Sequence, residues 1–282
     1  MRFIAFIEEM LFYPKWYHYP FVFLLMPFSL IYYLVAYFKF FRKKKDLGIE
    51  IISVGNIIVG GSGKTPLVIE LAKNRKSAVV LRGYKRKSKG LVVVSKWGDV
   101  LVDVDKSGDE AMEIALKTNA LVIVSEDREE GIKKAKELGA EVVILDDGFD
   151  KPFKKFNIVI DEEIKNRLLL PAGGYRYPRS FLKYADLVIK EGVDFKRVVN
   201  MPDGDILVSA ISKPKRLLKY WNKEYRFYPD HYDYKWEDIK DLKDKVIVTT
   251  FKDYVKLKKF PLKLRVIDLK LEIKNDKIPI KR

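Results

Sequence analysis

The segment Gly60-Gly61-Ser62-Gly63-Lys64-Thr65 decides both the fold and the first functional hypothesis. It follows an apolar run at 49–54, which predicts a strand, and it opens a stretch at 65–73, which predicts a helix. In that context backbone N–H groups cradle phosphate oxygens, Lys64 reaches the β and γ phosphates, and the Thr65 hydroxyl binds Mg²⁺. The segment therefore predicts a nucleotide-binding phosphate loop.

This loop departs from the general pattern at one position. The pattern G-x-x-x-x-G-K places a further glycine where this chain has Ile58. Gly60 and Gly61 keep the backbone freedom that is needed close to phosphates. On spacing alone, a glycine-rich turn that binds no nucleotide remains an alternative.

Short apolar runs alternate with helical stretches after the loop. Their continuous apolar character is typical of parallel strands that are buried on both faces. Helices are expected at 109–117, where Ser107 and Glu110 resemble a capping box, and from Asp127 to about residue 138. The pattern predicts an α/β fold, a P-loop NTPase-like doubly wound sheet. The predicted strands are 78–81, 91–94, 121–124, 142–145 and 158–160.

A segment rich in proline and glycine follows residue 170 and marks a linker or loop. Further apolar runs at 187–189, 206–208 and 246–248 predict a second, smaller α/β unit. We therefore expect an N-terminal membrane-associated segment at 1–46, a phosphate-loop domain at 47–170 and a smaller α/β domain at 171–282.

The N-terminal segment is aromatic and has no charged residue between Pro20 and Phe38. This length is near the minimum for crossing a bilayer, and Pro27 interrupts it, so interfacial burial is favoured over spanning. A basic cluster at 42–45 follows, which suits anionic headgroups and argues against a cleaved signal peptide. A buried hairpin of core helices is the remaining alternative.

The charge balance indicates an anionic partner. Lys and Arg total 55 against 39 Asp and Glu, a formal net charge of +16. Nucleic acid, an anionic membrane surface and a phosphorylated substrate all satisfy this charge. The absence of cysteine excludes disulfides, thiolate metal sites and cysteine nucleophiles.

Two carboxylates at the end of the run 142–145 are candidates for a metal site. Asp146 and Asp147 would lie at the carboxyl edge of a parallel sheet, beside the phosphate loop, where a Mg²⁺ ligand is needed. Asp146 is the preferred ligand, with Thr65 as its partner. A turn that simply ends the strand is the alternative.

Phosphoryl transfer also requires a group that removes the proton of the acceptor hydroxyl. Asp109 is a candidate base, although carboxylates are favoured in any first helical turn. His231 is a candidate proton relay, with Asp230 or Asp109 orienting its ring. The arginines at 82, 86, 176 and 179 are candidate phosphate clamps, and the basic run at 82–89 suggests a headgroup site.

Together these motifs resemble one family, the tetraacyldisaccharide 4'-kinases of lipid A biosynthesis. They follow the family order over about residues 50 to 255, and the family shares the unusual phosphate loop. The motifs that carry the resemblance are Ser53-Val54-Gly55-Asn56, Gly60-Gly61-Ser62-Gly63-Lys64-Thr65-Pro66, Arg82-Gly83-Tyr84, Gly108-Asp109-Glu110, Ser125-Glu126-Asp127-Arg128, Leu145-Asp146-Asp147-Gly148-Phe149, Leu170-Pro171-Ala172-Gly173, Pro229-Asp230-His231-Tyr232 and Thr249-Thr250 with Lys252-Asp253.

The resemblance implies transfer of the ATP γ-phosphate to the 4'-hydroxyl of a tetraacylated glucosamine disaccharide 1-phosphate. It implies ATP and Mg²⁺ as cofactors and the cytoplasmic face of the anionic inner membrane as the location, with no nucleic acid partner. The implied catalytic residues are Asp109, His231 and Lys64. The implied nucleotide site is Gly60, Gly61, Ser62, Gly63, Lys64 and Thr65, the metal site Thr65, Asp146 and Asp147, and the substrate site Tyr84, Arg82, Glu110 and Arg176.

Two positions depart from the family pattern. Asp150-Lys151 stands where Gln-His is expected, and Tyr177 stands where an acidic residue is usual after Arg176. A membrane-bound P-loop NTPase that couples hydrolysis to a protein partner is the alternative function. A basic nucleic-acid-binding protein is a third possibility, but no nucleic-acid module is recognisable in the sequence.

Overall fold

The fold was analysed in a computed structural model that describes residues 2–60, 63–73, 76–212 and 214–279, without the side chains of 2–5. Gly61 and Ser62 of the expected nucleotide site lie outside these residues. The α-helices are α1 Arg2–Phe12, α2 Tyr19–Phe40, α3 Lys64–Lys73, α4 Val104–Ser107, α5 Asp109–Lys117, α6 Arg128–Glu137, α7 Trp236–Ile239 and α8 Phe251–Leu257. Short 3₁₀ helices lie at Trp16–His18, Arg179–Tyr184, Pro214–Lys219 and Lys240–Leu242.

The strands form a large sheet, a small sheet and a two-stranded ribbon. The large sheet has the order β4-β3-β5-β2-β6-β1-β7-β8, the small sheet β11-β10-β12-β13, and β9 pairs with β14. The strands are β1 Glu50–Asn56, β2 Ser77–Leu81, β3 Val92–Lys96, β4 Asp99–Val100, β5 Leu121–Val124, β6 Val142–Asp146, β7 Phe156–Ile160, β8 Leu187–Ile189, β9 Phe195–Asn200, β10 Ile206–Ser209, β11 Glu224–Phe227, β12 Val246–Thr249, β13 Lys263–Val266 and β14 Asp268–Ile273.

Helices cover both faces of the large sheet. Apolar residues of α3 and α5 pack on one face, with Leu67 and Ile114 among them, while Ile132 and Ala135 of α6 pack on the other. Six strands, from β5 to β8, run parallel, which confirms the doubly wound α/β fold.

The structure corrects two strand expectations. The strand β3 is antiparallel to β5 and forms a hairpin with β4, so that edge of the sheet is not parallel. The strand β8 pairs with β7 in the large sheet, so the apolar run at 187–189 does not begin the second unit. An apolar run records burial on both faces but not strand direction or sheet membership.

The predicted capping box before α5 is also wrong. Gly108 is the N-cap of α5 and makes no side-chain cap bond. Ser107 ends the short helix α4 instead, and its hydroxyl donates to the Asp103 carbonyl at 2.9 Å. Gly108 has φ 80°, and a Cβ there would lie 3.1 Å from the Tyr84 carbonyl oxygen. Glycine therefore permits both the turn into α5 and the close approach of the Tyr84 segment.

The N-terminal helices pack against the large-sheet unit. In α2 the buried residues Val22, Ser29 and Ala36 recur every second turn. The Ser29 hydroxyl donates to the Leu169 carbonyl at 2.9 Å and accepts from the Ala172 N–H at 3.1 Å. The opposite face of α2 is apolar and exposed, with Phe38 71% exposed. Among the described residues, Trp16–Phe40 is the one helical segment long and apolar enough to cross a membrane.

Candidate active site

A cleft of about 840 Å³ lies between the large and the small sheet. Its walls come from the phosphate loop, the end of β6, the loop after β2 and the loops of the small-sheet unit. Ten of the residues predicted for the site lie in or beside it. The lining includes Gly60, Gly63, Lys64, Thr65, Arg82, Tyr84, Glu110, Asp146, Asp147 and His231.

The phosphate loop connects β1 to α3, as predicted. Lys64 begins α3, and its Nζ lies 3.3 Å from Asn56 Oδ1 and 3.5 Å from Asp147 Oδ1. Gly63 has φ 72°, and a Cβ there would lie 2.9 Å from Arg197 Cζ. The guanidinium of Arg197, carried by β9, therefore covers the loop at the helix start.

Asp146 is buried at the end of β6, beside β1. The register pairs it with Val54, which leads into the phosphate loop. Burial and the negative charge of Glu110 raise the pKa of Asp146 to about 7, despite the opposing charge of Lys64. Within the described residues its Oδ1 has no hydrogen-bond partner. A buried carboxylate oxygen that lacks a partner fits a hard divalent cation such as Mg²⁺.

Asp147 has a different environment from Asp146. Both of its oxygens accept hydrogen bonds from Arg176, at 2.9 and 2.7 Å. Burial alone would raise the pKa of Asp147, but Arg176 and Lys64 hold it well below its ordinary value. Arg176 is therefore a partner of Asp147 and does not line the cleft.

Asp109 at the start of α5 and His231 in the loop after β11 form a hydrogen-bonded pair between the two sheet units. His231 Nδ1 lies 3.0 and 2.9 Å from the two carboxylate oxygens of Asp109. Burial would raise the pKa of Asp109, but the His231 hydrogen bond and the charges of Lys252 and Lys256 lower it to about 2. Asp109 is therefore ionised at neutral pH, and His231 Nδ1 must be the donor.

Lys252 determines the other side of the imidazole ring. Its Nζ lies 3.1 Å from His231 Nε2 and 3.1 Å from Glu110 Oε1. Burial alone would lower the pKa of Lys252, but Glu110 and Asp109 raise it above its ordinary value. The ammonium group therefore donates to Nε2, and the imidazole is neutral with its hydrogen on Nδ1. His231 faces the cleft, whereas Asp109 is buried behind it.

The backbone around His231 is held in a restricted geometry. The His231 N–H donates to the Ala210 carbonyl at 2.9 Å, which ties the loop to the end of β10. His231 has φ 59° and Asp147 has φ 56°, a conformation that costs about 1 kcal/mol for residues with a side chain. Such strain concentrates at functional sites, and both residues border the cleft.

Asp253 supports this geometry more extensively than the sequence indicated. Its position three residues after Thr250 is typical of a first-turn carboxylate, and Thr250 does cap α8. The Asp253 carboxylate also accepts from Ser209 Oγ, the Ala210 N–H and Tyr234 Oη, each at 3.0 Å. This buried network joins β10 to α8 directly behind His231.

The predicted arginine clamps have different environments. Arg82 and Tyr84 line the cleft, and the Tyr84 ring lies 5.0 Å from the His231 ring. Arg86 pairs with Glu126 at 2.7 Å, and Arg179 donates to both oxygens of Asp161 at 2.9 Å. Arg86 and Arg179 are therefore structural residues. The basic run at 82–89 does not form a single headgroup site, because Lys87 pairs with Asp105.

Sequence reasoning assigned no role to Arg128, Arg197 or Lys252. Arg128 is buried at the cleft wall, and within the described residues its Nε has no hydrogen-bond partner. Burial lowers the pKa of Arg128 despite the opposing charges of Asp146 and Asp147. A buried guanidinium with a spare donor suits an incoming phosphate. In a chain with 55 Lys and Arg residues, the sequence does not show which of them are buried at a site.

The two departures from the family pattern contact each other. Burial, and next the negative charge of nearby Asp150, raise the pKa of the Tyr177 hydroxyl. Asp150 also forms ion pairs with Lys39 of α2 at 2.7 Å and with Lys151 at 3.1 Å. Asp150 and Tyr177 therefore form one local unit between α2 and the loop that carries Asp147.

Comparisons with known proteins show which family the chain belongs to. A family sequence model for tetraacyldisaccharide-1-P 4'-kinase, LpxK, matches residues 21–203. The tetraacyldisaccharide 4'-kinase of Aliarcobacter butzleri is 50% identical over 289 residues, covering 95% of this chain and 92% of that protein. The chain belongs to the tetraacyldisaccharide 4'-kinase family.

More distant members of the tetraacyldisaccharide 4'-kinase family match over the same length. The Helicobacter pylori kinase is 42% identical, covering 95% of this chain and 91% of that protein. A crystal structure of LpxK from Aquifex aeolicus in complex with ATP has a TM-score of 0.77 at 30% identity, covering 91% of this chain and 96% of that one. The family model ends before His231, but the full-length relatives extend over most of the small-sheet unit.

Proposed function

We propose that this protein transfers the γ-phosphate of ATP to the 4'-hydroxyl of a tetraacylated glucosamine disaccharide 1-phosphate, a late step of lipid A biosynthesis. The observation that carries the proposal is the Asp109–His231 pair, which shares one cleft with Lys64 of the phosphate loop. Family membership supplies the identity of the acceptor. The pair supplies what a phosphate loop alone lacks, a group that can remove the proton of a hydroxyl.

The reaction requires the two substrates to meet between the two sheets. The triphosphate would lie on the phosphate loop, where Lys64 offsets charge on the β and γ phosphates and the N-terminus of α3 favours an anion. Arg128 is placed to neutralise further charge at the cleft wall, whereas Arg197 is held there by Glu191, to which its Nε donates at 2.8 Å. The 4'-hydroxyl oxygen then attacks the γ phosphorus, the bond to the β-γ bridging oxygen breaks, and ADP leaves.

The hydroxyl proton passes to the Asp109–His231 pair. His231 Nε2 takes the proton once the sugar hydroxyl replaces Lys252 as its hydrogen-bond donor, and Asp109 stabilises the positive charge that the protonated ring would carry. Tyr84 lies against the His231 ring and borders the space available to the sugar. Glu110 is engaged by Lys252, so its contribution to substrate binding would act through that ion pair.

Mg²⁺ would be held by Asp146 and the Thr65 hydroxyl, with Asp147 as a further carboxylate close by. The unpartnered Asp146 oxygen and the raised pKa of this carboxyl support the assignment. A divalent cation would bind the oxygen and stabilise the ionised form of the carboxylate. When bound, the ion would neutralise charge on the transferred phosphate. Asp147 is engaged by Arg176 through both oxygens, which favours Asp146 as the direct ligand.

We further propose that the protein acts at the cytoplasmic face of the inner membrane, with α2 lying in the interface. One face of α2 is buried against the folded body at Val22, Ser29 and Ala36, with hydrogen bonds at Ser29, while the other face exposes apolar side chains. Because α2 packs against the large-sheet unit along its length, it cannot cross a bilayer unless part of that unit also enters the bilayer. Interfacial burial of the exposed face is therefore favoured over spanning.

The direct test is transfer of labelled γ-phosphate from ATP to the tetraacylated disaccharide 1-phosphate in neutral detergent micelles, with a reaction that lacks the lipid as control. We expect labelled lipid only when the acceptor is present. Phosphate release at the same rate without the lipid would instead favour the alternative, an NTPase coupled to a protein partner. That alternative has no need for the Asp109–His231 pair, which is why the kinase is preferred.

A further inference from the structure

A second pocket, of about 360 Å³, lies at the C-terminal end of α2. It is separate from the active-site cleft, although Lys151 borders both. We refer to it as the α2 pocket. Its lining includes four aromatic residues, among them Phe41 and Tyr184, and five cationic ones. Lys151 pairs with Asp150, and the other four cations are Arg42, Lys44, Lys155 and Lys183.

The α2 pocket carries excess positive charge. Across the described part of the chain, and in contrast to Lys151, none of these four cations has a carboxylate oxygen within 4.0 Å of its side-chain nitrogens. Asp186 is the one carboxylate in the lining, and it already accepts from the Asn157 N–H at 2.7 Å. Burial and the nearby charge of Lys44 lower the pKa of Lys155 to about 8. An anion in the pocket would relieve this repulsion.

Asn157 provides an independent sign of a ligand. This residue borders the α2 pocket and is only 4% exposed. Within the described residues its Oδ1 has no hydrogen-bond partner. A buried acceptor of this kind is usually satisfied, and here a hydroxyl group beside the anion would satisfy it. The pocket therefore offers cations for a phosphate and an acceptor for an adjacent hydroxyl.

The α2 pocket lies where the exposed apolar face of α2 ends. Phe38 belongs to that face, Phe41 borders the pocket, and Arg42 begins the basic cluster. Aromatic and basic side chains in this order are typical of the depth at which lipid headgroups lie. The bilayer is therefore the nearest source of an anionic group for the pocket.

We propose that the α2 pocket binds the phosphate of a bilayer phospholipid whose headgroup carries hydroxyls, the chemistry of phosphatidylglycerol. The four cations bind the phosphate oxygens, and Asn157 Oδ1 accepts from a headgroup hydroxyl. This proposal rests on the interfacial position of α2 proposed above. Headgroup binding would fix the rotation of the kinase on the membrane and hence the direction in which its cleft opens.

The test compares two variants of equal charge in the full-length protein. The pocket variant is Lys155→Gln with Lys183→Gln, and the control is Lys43→Gln with Lys154→Gln. The control lysines are exposed, lie outside the pocket, and Lys154 pairs with Asp46 at 3.2 Å. Binding is measured by flotation with vesicles of phosphatidylcholine containing increasing phosphatidylglycerol, after thermal melts establish that both variants fold.

We expect the pocket variant to bind phosphatidylglycerol vesicles about tenfold more weakly than the control, with no such gap on pure phosphatidylcholine. Equal binding by the two variants would mean that only diffuse charge matters and would overturn the proposal. Release of the wild type by millimolar inorganic phosphate at constant ionic strength would overturn it too, because the pocket would then prefer free phosphate.

Kinase assays in neutral micelles without phospholipid separate this proposal from the proposed function. We expect the pocket variant to keep the wild-type KM for the lipid acceptor within about twofold. A large increase in KM would mean that the pocket holds the phosphate of the substrate itself, which contradicts the proposal. Failure of the wild type to phosphorylate the acceptor would reject the proposed function, whereas the flotation result would still decide on the pocket.

Discussion

The Asp109 carboxylate and the His231 imidazole, 122 residues apart in the chain, lie 2.9 Å from each other at the boundary between the two sheets. The helices α5 and α8 pack together there, one from each unit, and bring the two residues to the same point. The Asp109–His231 pair therefore forms only when the two units pack together, because neither unit contains both residues.

The first prediction concerns this pair. Asp109→Ala and His231→Ala should each lower kcat by roughly 10² to 10⁴, and the double variant should lose little more than the worse single one. When two groups act as a unit in proton transfer, the losses in kcat caused by removing each of them do not add in free energy. The measurement is kcat at saturating ATP and acceptor. The matched control is Asp233→Ala, an exposed residue of the same loop that should retain activity. Losses that multiply in the double variant would show that the two residues act independently.

The second prediction concerns the phosphate loop. Lys64→Ala should abolish phosphate transfer, because Lys64 is the cation placed to offset charge on the β and γ phosphates. Binding to membranes should be unchanged, since Lys64 belongs to the phosphate loop and α2 is the helix that is expected to contact the membrane. The control is Lys133→Ala on the exposed side of α6, which removes the same charge and should retain activity. Normal transfer by the Lys64 variant would refute the nucleotide assignment.

The third prediction follows from the raised pKa of Asp146. Its folded-state pKa of about 7 exceeds the ordinary value of 3.8, so the folded metal-free protein keeps a proton that the unfolded chain releases. Stability should therefore fall as pH rises from about 4 to 7 and remain low above that range. Asp146→Asn has no such titration.

Denaturant unfolding in the presence of a chelator tests this expectation. At pH 8 the Asp146→Asn variant should exceed the wild type in free energy of unfolding by about 1 to 3 kcal/mol, and the difference should shrink near pH 4. Added Mg²⁺ should then stabilise the wild type alone. A constant difference between the two proteins across this pH range would show that Asp146 does not carry the titration.

The fourth prediction concerns the exposed face of α2. Replacing Phe23, Leu30 and Phe38 by Gln should greatly weaken vesicle binding, because these side chains are 66%, 62% and 71% exposed and lie away from the packed stripe. Substitution is preferable to deletion of the segment, since deletion would uncover the large-sheet unit beneath α2. The control is Leu101→Gln, an exposed apolar residue elsewhere. Unchanged binding by the triple variant would mean that the membrane contact lies outside α2.

Local sequence signals predicted the parts of the site that are built from neighbouring residues. The phosphate loop, the end of β6 at Asp146 and the bounds of α5 at Asp109–Lys117 each depend on a short pattern, and the structure has them where expected. The sequence left Asp230 and Asp109 as alternative partners of His231, because residue spacing contains no information on how two sheets dock.

Other features were beyond prediction for physical reasons. Lys252 and Arg128 gain their roles from burial next to charged partners, and a sequence with this many basic residues does not show which ones are buried. The antiparallel direction of β3 was missed because its apolar residues are compatible with either direction. The contact of Asp150 with Lys39 depends on how α2 docks, which no local pattern specifies.

The measurement that tests the central claim most directly is the position of the new phosphate on the lipid product. Product made by the wild type from ATP and the tetraacylated disaccharide 1-phosphate would be analysed by two-dimensional proton–phosphorus NMR. We predict a new phosphorus signal that correlates with the sugar proton at the 4' carbon, and no such signal in product mixtures from Asp109→Ala. A new phosphate on any other carbon, or inorganic phosphate as the sole product, would contradict the account.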